Sequence, residues 1–181
     1  MKKLIIIFLV LPVLVTAGCA TVPERPEGKT VLGAKVQEAI SAFKAEDPTI
    51  ERFFKGSYGY VVLPEVFKGA FLVGGAFGNG EVYEQGRMAG YSSMSQATFG
   101  FSFGGEYFRE IVFFRDKMDL DKFKTEEIVF AAQITGVAIT SGAAAKADYK
   151  AGMAVFIMPD KGLMVDASLG GQKFKYVPNN P

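Results

Sequence analysis

Residues 98–104 read Thr98-Phe99-Gly100-Phe101-Ser102-Phe103-Gly104, and in this stretch an aromatic residue alternates with a small one. Successive side chains of a β-strand point to opposite faces, so the three phenylalanines share one face and the small residues share the other. The segment therefore predicts a strand with one face buried among aromatic side chains.

The same period of two extends on both sides of this strand. From Tyr58 onward the pattern is strand-like, and 18 of the 21 glycines lie at or beyond Gly56. Gly78-Asn79-Gly80 can supply the positive φ angles of a tight hairpin turn, and we predict further hairpin turns at Gln85-Gly86 and over residues 159–162. Such strands favour a closed or nearly closed, barrel-like antiparallel sheet, which hides its edges.

Before Tyr58 the pattern is helical. Asp47-Pro48 predicts the start of a short helix that ends at Gly56, and residues 119–124 predict a surface helix. An earlier amphipathic helix is indicated by apolar residues that recur on one face: Leu32, Val36, Ala39, Ile40 and Phe43. The predicted fold class is therefore α+β, a β-rich antiparallel barrel-like sheet with N-terminal helices packed on it.

The N-terminus has the features of a secretory signal peptide. Lys2 and Lys3 precede the uncharged residues 4–15, a stretch that is too short to span a membrane. Thr16-Ala17-Gly18-Cys19 resembles the bacterial lipobox, which implies cleavage before Cys19 and its modification with acyl chains such as palmitate. Ala20 after the cysteine implies export to the outer membrane. The alternative is ordinary secretory cleavage after Ala17, which leaves Cys19 as a free thiol.

These features predict three segments. Residues 1–18 are the signal peptide, residues 19–31 are a lipidated N-terminus with a flexible tether, and residues 32–178 are the folded domain. Pro23, Pro26 and the surrounding charged residues indicate the tether.

The composition excludes several function classes. The chain has no histidine and one cysteine, so histidine-based catalysis, histidine metal sites and an internal disulfide are excluded. Its formal net charge of +1 lacks the basic excess that drives nucleic-acid binding. We expect no nucleic acid partner, no metal and no cofactor.

Three polar motifs fail as catalytic or ligand sites. Residues 74–80 lack the Gly-Lys-Ser/Thr ending of a phosphate loop. The serines at 92, 93 and 95 have no histidine to activate them, and we interpret them as hydroxyls on an edge strand. The acidic residues at 116, 119 and 121 lack the glycine of a calcium loop, and we interpret them as helix caps. The sequence therefore predicts no enzyme.

Residues 128–145 carry no charge, which allows two interpretations. Their many small and hydroxyl-bearing residues favour crowded strands within the sheet. A transmembrane helix is the alternative.

Short motifs in a fixed order resemble the SYLF lipid-binding domain over about residues 33–177. They are Tyr58-Gly59-Tyr60-Val61-Val62-Leu63-Pro64, Phe67-Lys68-Gly69-Ala70-Phe71-Leu72-Val73-Gly74-Gly75, Ser95-Gln96-Ala97-Thr98-Phe99-Gly100 and Ser168-Leu169-Gly170-Gly171-Gln172-Lys173-Phe174. The resemblance implies binding of phospholipids or phosphoinositides without catalysis. Fungal and animal members regulate actin, and we expect no actin partner for a secreted bacterial lipoprotein.

The predicted function is that of an envelope lipoprotein with its domain in the periplasm, binding phospholipid. The expected lipid-binding residues are the helix face of Val36, Ile40 and Phe43, together with Lys68 and Phe71. Packing of that helix face on the sheet is the alternative interpretation, and the phenylalanines of residues 98–104 form either core or the wall of a lipid pocket. The alternative function is a structural or adaptor lipoprotein that binds other envelope proteins.

Overall fold

The computed structural model describes residues 22–125, 129–130 and 137–179, with side chains except at 70–73, 98–103, 129–130, 137 and 161–170. The predicted signal peptide and Cys19 lie outside the described residues. The elements in chain order are helix α1 (Pro26–Glu46), a 3-10 helix (Pro48–Ile50), α2 (Glu51–Gly56), strands β1 (Gly59–Glu84) and β2 (Arg87–Phe114), helix α3 (Lys117–Thr125), strands β3 (Val129–Phe130) and β4 (Val137–Ala138), helix α4 (Ala143–Lys146) and strand β5 (Met153–Pro178).

Three strands of 26 to 28 residues make up most of the sheet. β2 lies between β1 and β5 and pairs antiparallel with both, while β3 and β4 pair with β5, β4 in parallel. The predicted α+β class is confirmed. Among the described residues the strand order β1-β2-β5-β3 does not return to β1, so the sheet is open and the description "barrel-like" was too loose.

Strand β1 folds back so that its two ends are neighbours. The backbone N–H of Gln85 donates to the carbonyl oxygen of Tyr58 at 2.9 Å, and a Cβ placed on Gly80 would overlap the carbonyl oxygen of Val62. The predicted hairpin turn at Gly78-Asn79-Gly80 is wrong, because β1 continues through these residues. Glycine is required at positions 78 and 80 because the first half of β1 occupies the space that a side chain there would need.

The other two turn predictions have opposite outcomes. Gln85 and Gly86, with φ angles of 47° and 77°, form the β1–β2 hairpin turn as predicted. The turn predicted over residues 159–162 is wrong, because β5 runs unbroken from Met153 to Pro178. Tyr107 pairs with Lys161 and Phe108 with Pro159, so Asp160 is the extra residue of a β-bulge, a place where a strand tolerates proline.

The serines predicted for an edge strand lie instead on the central strand β2. Ser92 pairs with Gly80 on one side and Tyr176 on the other, and it is fully buried. The edge prediction was wrong because the sequence does not show which strands flank a given segment.

The sheet has an apolar layer on each face. Helices α1 and α2 cover one face, where Phe43 and Phe53 pack against Val62, Phe113 and Phe156. The other layer lies within the folded-back sheet and is closed by α3. Its largest buried side chains come from both halves of the strands and from α3: Leu63, Met94, Phe114, Leu120, Phe123 and Phe174.

Helix α1 begins six residues before the predicted domain boundary at Leu32. Pro26 is its first residue, where a proline is favoured because its fixed φ suits a helix start. Val22 packs against the core and Pro23 against Gly28. Residues 26–31, which were predicted to belong to the tether, form the first turns of α1, and their polar side chains lie on its outer side.

Two aspartates cap short helices as predicted. Asp47 accepts hydrogen bonds from the Thr49 backbone N–H at 3.0 Å and from the Ala144 N–H at 2.7 Å, which ties the 3-10 helix to α4. Asp116 accepts from the Asp119 N–H at 3.0 Å and thus caps α3. Asp119 and Asp121 lie inside α3, so their interpretation as helix caps was wrong. In the described parts of the chain, no helix is long and apolar enough to cross a membrane.

Candidate functional site

A cleft of about 490 Å³ opens between α1 and the strands β1 and β2. Val31 and Leu32 of α1 form one wall, while Phe67 and Phe77 of β1 and Tyr107 of β2 form the other. The volume lies in the range of small-molecule pockets in proteins, and the walls are largely apolar, as such pockets usually are.

The local sequence explains why the cleft forms here. β1 has a register shift between Leu63 and Val66, which redirects the strand just before Phe67. The Phe67 ring then lies over two glycines, since a Cβ at Gly69 would be 3.2 Å and one at Gly105 3.5 Å from it. The absence of side chains at both positions leaves space for the ring.

An aromatic cluster with exposed edges marks the mouth of the cleft. The Phe67 ring centroid lies 5.7 Å from that of Phe77 and 5.1 Å from that of Tyr107, both in tilted contact. Val31, Phe77 and Tyr107 are 57%, 50% and 40% exposed. We call these three residues the apolar rim. Contiguous exposed apolar surface of this kind marks an interaction or ligand site more often than isolated exposed residues do.

The charged groups at the mouth are paired. The Lys35 ammonium lies 3.4 Å from the Glu65 carboxylate, and both residues line the cleft. Nearby, Arg109 bridges Glu38 of α1 at 3.3 Å and Asp160 of β5 at 3.6 Å. The exposed Lys35–Glu65 pair contributes little to stability, but it leaves the mouth without a strong field of either sign.

The helix face predicted to contact lipid is used for the core instead. Val36 and Phe43 are fully buried against the sheet, and Ile40 is partly buried beside them. In this conformation the face packs on the sheet and only Ile40 stays partly accessible, as in the packing alternative. Val31 is an exposed large apolar residue of the same helix, and no helical pattern marks it because it lies outside the buried stripe.

Lys68 lies beside the cleft without lining it, and Phe71 is described only by its backbone. Neighbouring strand residues point to opposite faces, so Lys68 faces away from Phe67, and its ammonium lies 3.7 Å from Glu106 on the paired strand. The backbone of Phe71 pairs with Phe103, and its side chain lies outside the described residues. Phe99, Phe101 and Phe103 likewise have side chains outside the description.

The inner layer contains a carboxyl group that the sequence did not reveal. Glu110 of β2 is fully buried, and its Oε2 accepts a hydrogen bond from Nε2 of Gln172 at 2.9 Å. Oε1 has no partner among the described residues. Burial raises the pKa of Glu110 to about 7, although the Gln172 hydrogen bond acts in the opposite direction.

A polar network lies beneath α1. Gln37 Nε2 donates to the Tyr83 hydroxyl at 3.0 Å, and that hydroxyl donates to Glu81 at 2.7 Å. Burial and the Glu81 carboxylate raise the pKa of Tyr83, so its hydroxyl remains a donor. Gly33 gives the carboxylate its space, because a Cβ there would be 3.1 Å from Glu81 Oε1. The network positions the helix above the sheet.

The described residues contain no cluster of acidic or cysteine side chains suited to a metal ion. The cleft is the candidate site that the described residues form. Its chemistry is that of an apolar slot with a neutral, ion-paired mouth.

Comparison with known proteins gives one distant relative and no family assignment. No protein-family model matches the chain. The chain is similar to "Beta cell expansion factor A" of Aeromonas veronii, with 25% identity over 148 residues. The alignment covers 82% of this chain and 57% of that protein, so the chain spans a little over half the length of this relative.

Proposed function

We propose that the protein is a SYLF-type lipoprotein of the bacterial envelope whose domain binds phospholipid without catalysis. In this proposal Cys19 is acylated and anchors the chain in the outer membrane, with the domain in the periplasm. The cleft between α1 and β1 receives an acyl chain, while the headgroup stays at the ion-paired mouth.

The cleft is the observation that carries this proposal. Its aromatic and aliphatic walls can take an acyl chain out of water, at roughly 25 cal/mol for each Å² of apolar surface buried. The mouth offers both an ammonium on Lys35 and a carboxylate on Glu65, which suits a zwitterionic headgroup as well as an anionic one. We therefore expect binding that depends weakly on salt.

Two sequence features support the wider assignment. The ordered motifs from Tyr58 to Phe174 resemble the SYLF domain, and the similar protein from Aeromonas veronii is also bacterial. The lipobox-like residues 16–19 support an acyl anchor, because the cysteine of that motif is the acylated residue.

Native mass spectrometry of purified residues 20–181 tests lipid binding directly. We expect phospholipid to co-purify with the wild type and with Met118→Glu, but not with Phe77→Glu. Met118 is the matched control because it is an exposed apolar residue, at 59%, that does not line the cleft. A glutamate at position 77 would place a charge beside the acyl chain, which is costly to desolvate.

Vesicle flotation of the same three proteins completes the test. If the wild type carries no lipid and also fails to float with anionic or zwitterionic vesicles, lipid binding is wrong. The adaptor function would then account better for the cleft, with a protein partner on the apolar rim.

The intact mass of the protein extracted from membranes tests the anchor separately. We expect the mature chain to begin at an acylated Cys19 by intact mass, and Cys19→Ser to abolish this modification and the removal of residues 1–18 that goes with it. An unmodified N-terminus at Gly18 would contradict the lipobox interpretation.

A further inference from the structure

We infer that the apolar rim of Val31, Phe77 and Tyr107 docks on the bilayer that carries Cys19, so that the cleft opens onto the anchoring membrane. This docking rests on the proposed acylation of Cys19, and it specifies how the domain is oriented and which surface contacts the membrane. The partner is the lipid surface of the same membrane.

The exposed apolar residues are concentrated at one place. Among the described side chains, five large hydrophobic residues are exposed, and three of them form the rim. They come from α1, β1 and β2, so the patch is produced by the tertiary fold. The other two, Met118 on α3 and Val177 on β5, do not line the cleft.

The chain length before the fold places the anchor beside the same surface. Pro23 lines the cleft and packs against Gly28 of α1, and Cys19 precedes it by four residues. A fully extended chain spans at most about 3.6 Å per residue, so Cys19 lies within roughly 14 Å of Pro23. An acyl chain that is attached to Cys19 and inserted in the bilayer therefore holds the cleft close to the bilayer surface. The longer tether expected from the sequence would leave the orientation of the domain free.

The chemistry of the rim fits the interfacial region of a bilayer. Phe77 and Val31 can enter the boundary between headgroups and acyl chains, and Tyr107 can keep its hydroxyl at the headgroup level. Because Lys35 and Arg109 are ion-paired, the contact is apolar and does not require anionic lipid.

Single tryptophan substitutions provide a direct test, because the chain has no tryptophan of its own. Full-length, host-acylated Phe77→Trp and Met118→Trp are reconstituted in phosphatidylcholine vesicles with either plain or brominated acyl chains. We expect the indole of the Phe77→Trp variant to emit at shorter wavelength and to lose emission in brominated vesicles. The indole of the Met118→Trp variant should show neither change. A circular dichroism melt of each variant checks that the fold is retained.

Equal quenching in the two variants, or stronger quenching in Met118→Trp, would overturn the docking surface. Tyr107→Trp is the second rim variant. It should also emit at shorter wavelength and lose emission in brominated vesicles, and it replaces Phe77→Trp as the test if that substitution perturbs the fold. Failure of docking is distinguishable from failure of the proposed function. Co-purified phospholipid with no selective quenching refutes the docking surface alone, and selective quenching without co-purified phospholipid refutes acyl-chain binding in the cleft alone.

Discussion

Substitution of Glu110 by glutamine should change how stability depends on pH. Glu110 is enclosed in the inner layer, with one hydrogen bond from Gln172 and one carboxylate oxygen without a partner among the described residues. Its pKa is raised from 4.5 to about 7, chiefly by burial. The folded state therefore holds this proton more tightly than the unfolded chain does.

The sign and size of the effect follow from linkage. A carboxyl group with a raised folded-state pKa destabilises the fold as pH rises from the unfolded value of 4.5 through about 7, and the penalty is constant above that. At about 1.4 kcal/mol per pKa unit, the difference between the folded and unfolded pKa values corresponds to a penalty of roughly 3 kcal/mol. Below pH 4.5 the protonated carboxyl group carries no such penalty.

Urea unfolding of wild-type and Glu110→Gln protein between about pH 4.5 and 8.5 measures this contribution. We expect the free energy of unfolding of the variant, relative to wild type, to rise by about 3 kcal/mol across that interval. The pH-dependent part is the readout, because the buried amide can also add a constant offset. Glu46→Gln makes the same change at an exposed position and should run parallel to wild type. Parallel curves for Glu110→Gln and wild type would refute the reasoning.

Three further substitutions test other parts of the structure by urea unfolding. Gly80→Ala should destabilise by several kcal/mol because its Cβ would meet the facing half of β1, whereas Gly56→Ala, with nothing within 4 Å, should change stability little; equal effects would contradict the folded-back strand. Phe43→Ala should cost about 3–5 kcal/mol as a core residue, and a stable variant with impaired lipid binding would instead support the bilayer role. Asp47→Ala should cost about 1–3 kcal/mol by removing a cap and leaving the Ala144 N–H without its partner, and an unchanged midpoint would show that the cap is dispensable.

The helical part of the fold was predictable because its signals are local. The stripe of Val36, Ala39 and Phe43 identifies a buried helix face, and Asp47 followed by proline identifies a helix start. Each signal depends on residues within a few positions of one another, where helix geometry fixes which side chains share a face. The start of α1 at Pro26 was missed because its first turn is polar and belongs to no stripe.

The strands were predictable as strands, but their lengths and neighbours were not. Gly78 and Gly80 have the composition of a turn, while their actual role is close contact between two halves of one strand. Glycine satisfies both requirements, so local sequence cannot distinguish them. The same ambiguity applies at Pro159, where turn-forming residues lie at a bulge within a continuous strand.

The cleft is the least local feature of the fold, whereas the lipid contacts predicted on α1 came from the local pattern of one helix. An amphipathic stripe identifies the side of a helix that is removed from water, and in this fold the sheet is sufficient to cover it. In the proposed function, the residues that contact a ligand are apolar side chains outside any stripe, such as Val31 and Phe77. They line one cleft only because β1 folds back and brings α1, β1 and β2 together. In a domain of this kind, a ligand surface is therefore better sought among apolar residues that break the periodicity than among those that define it.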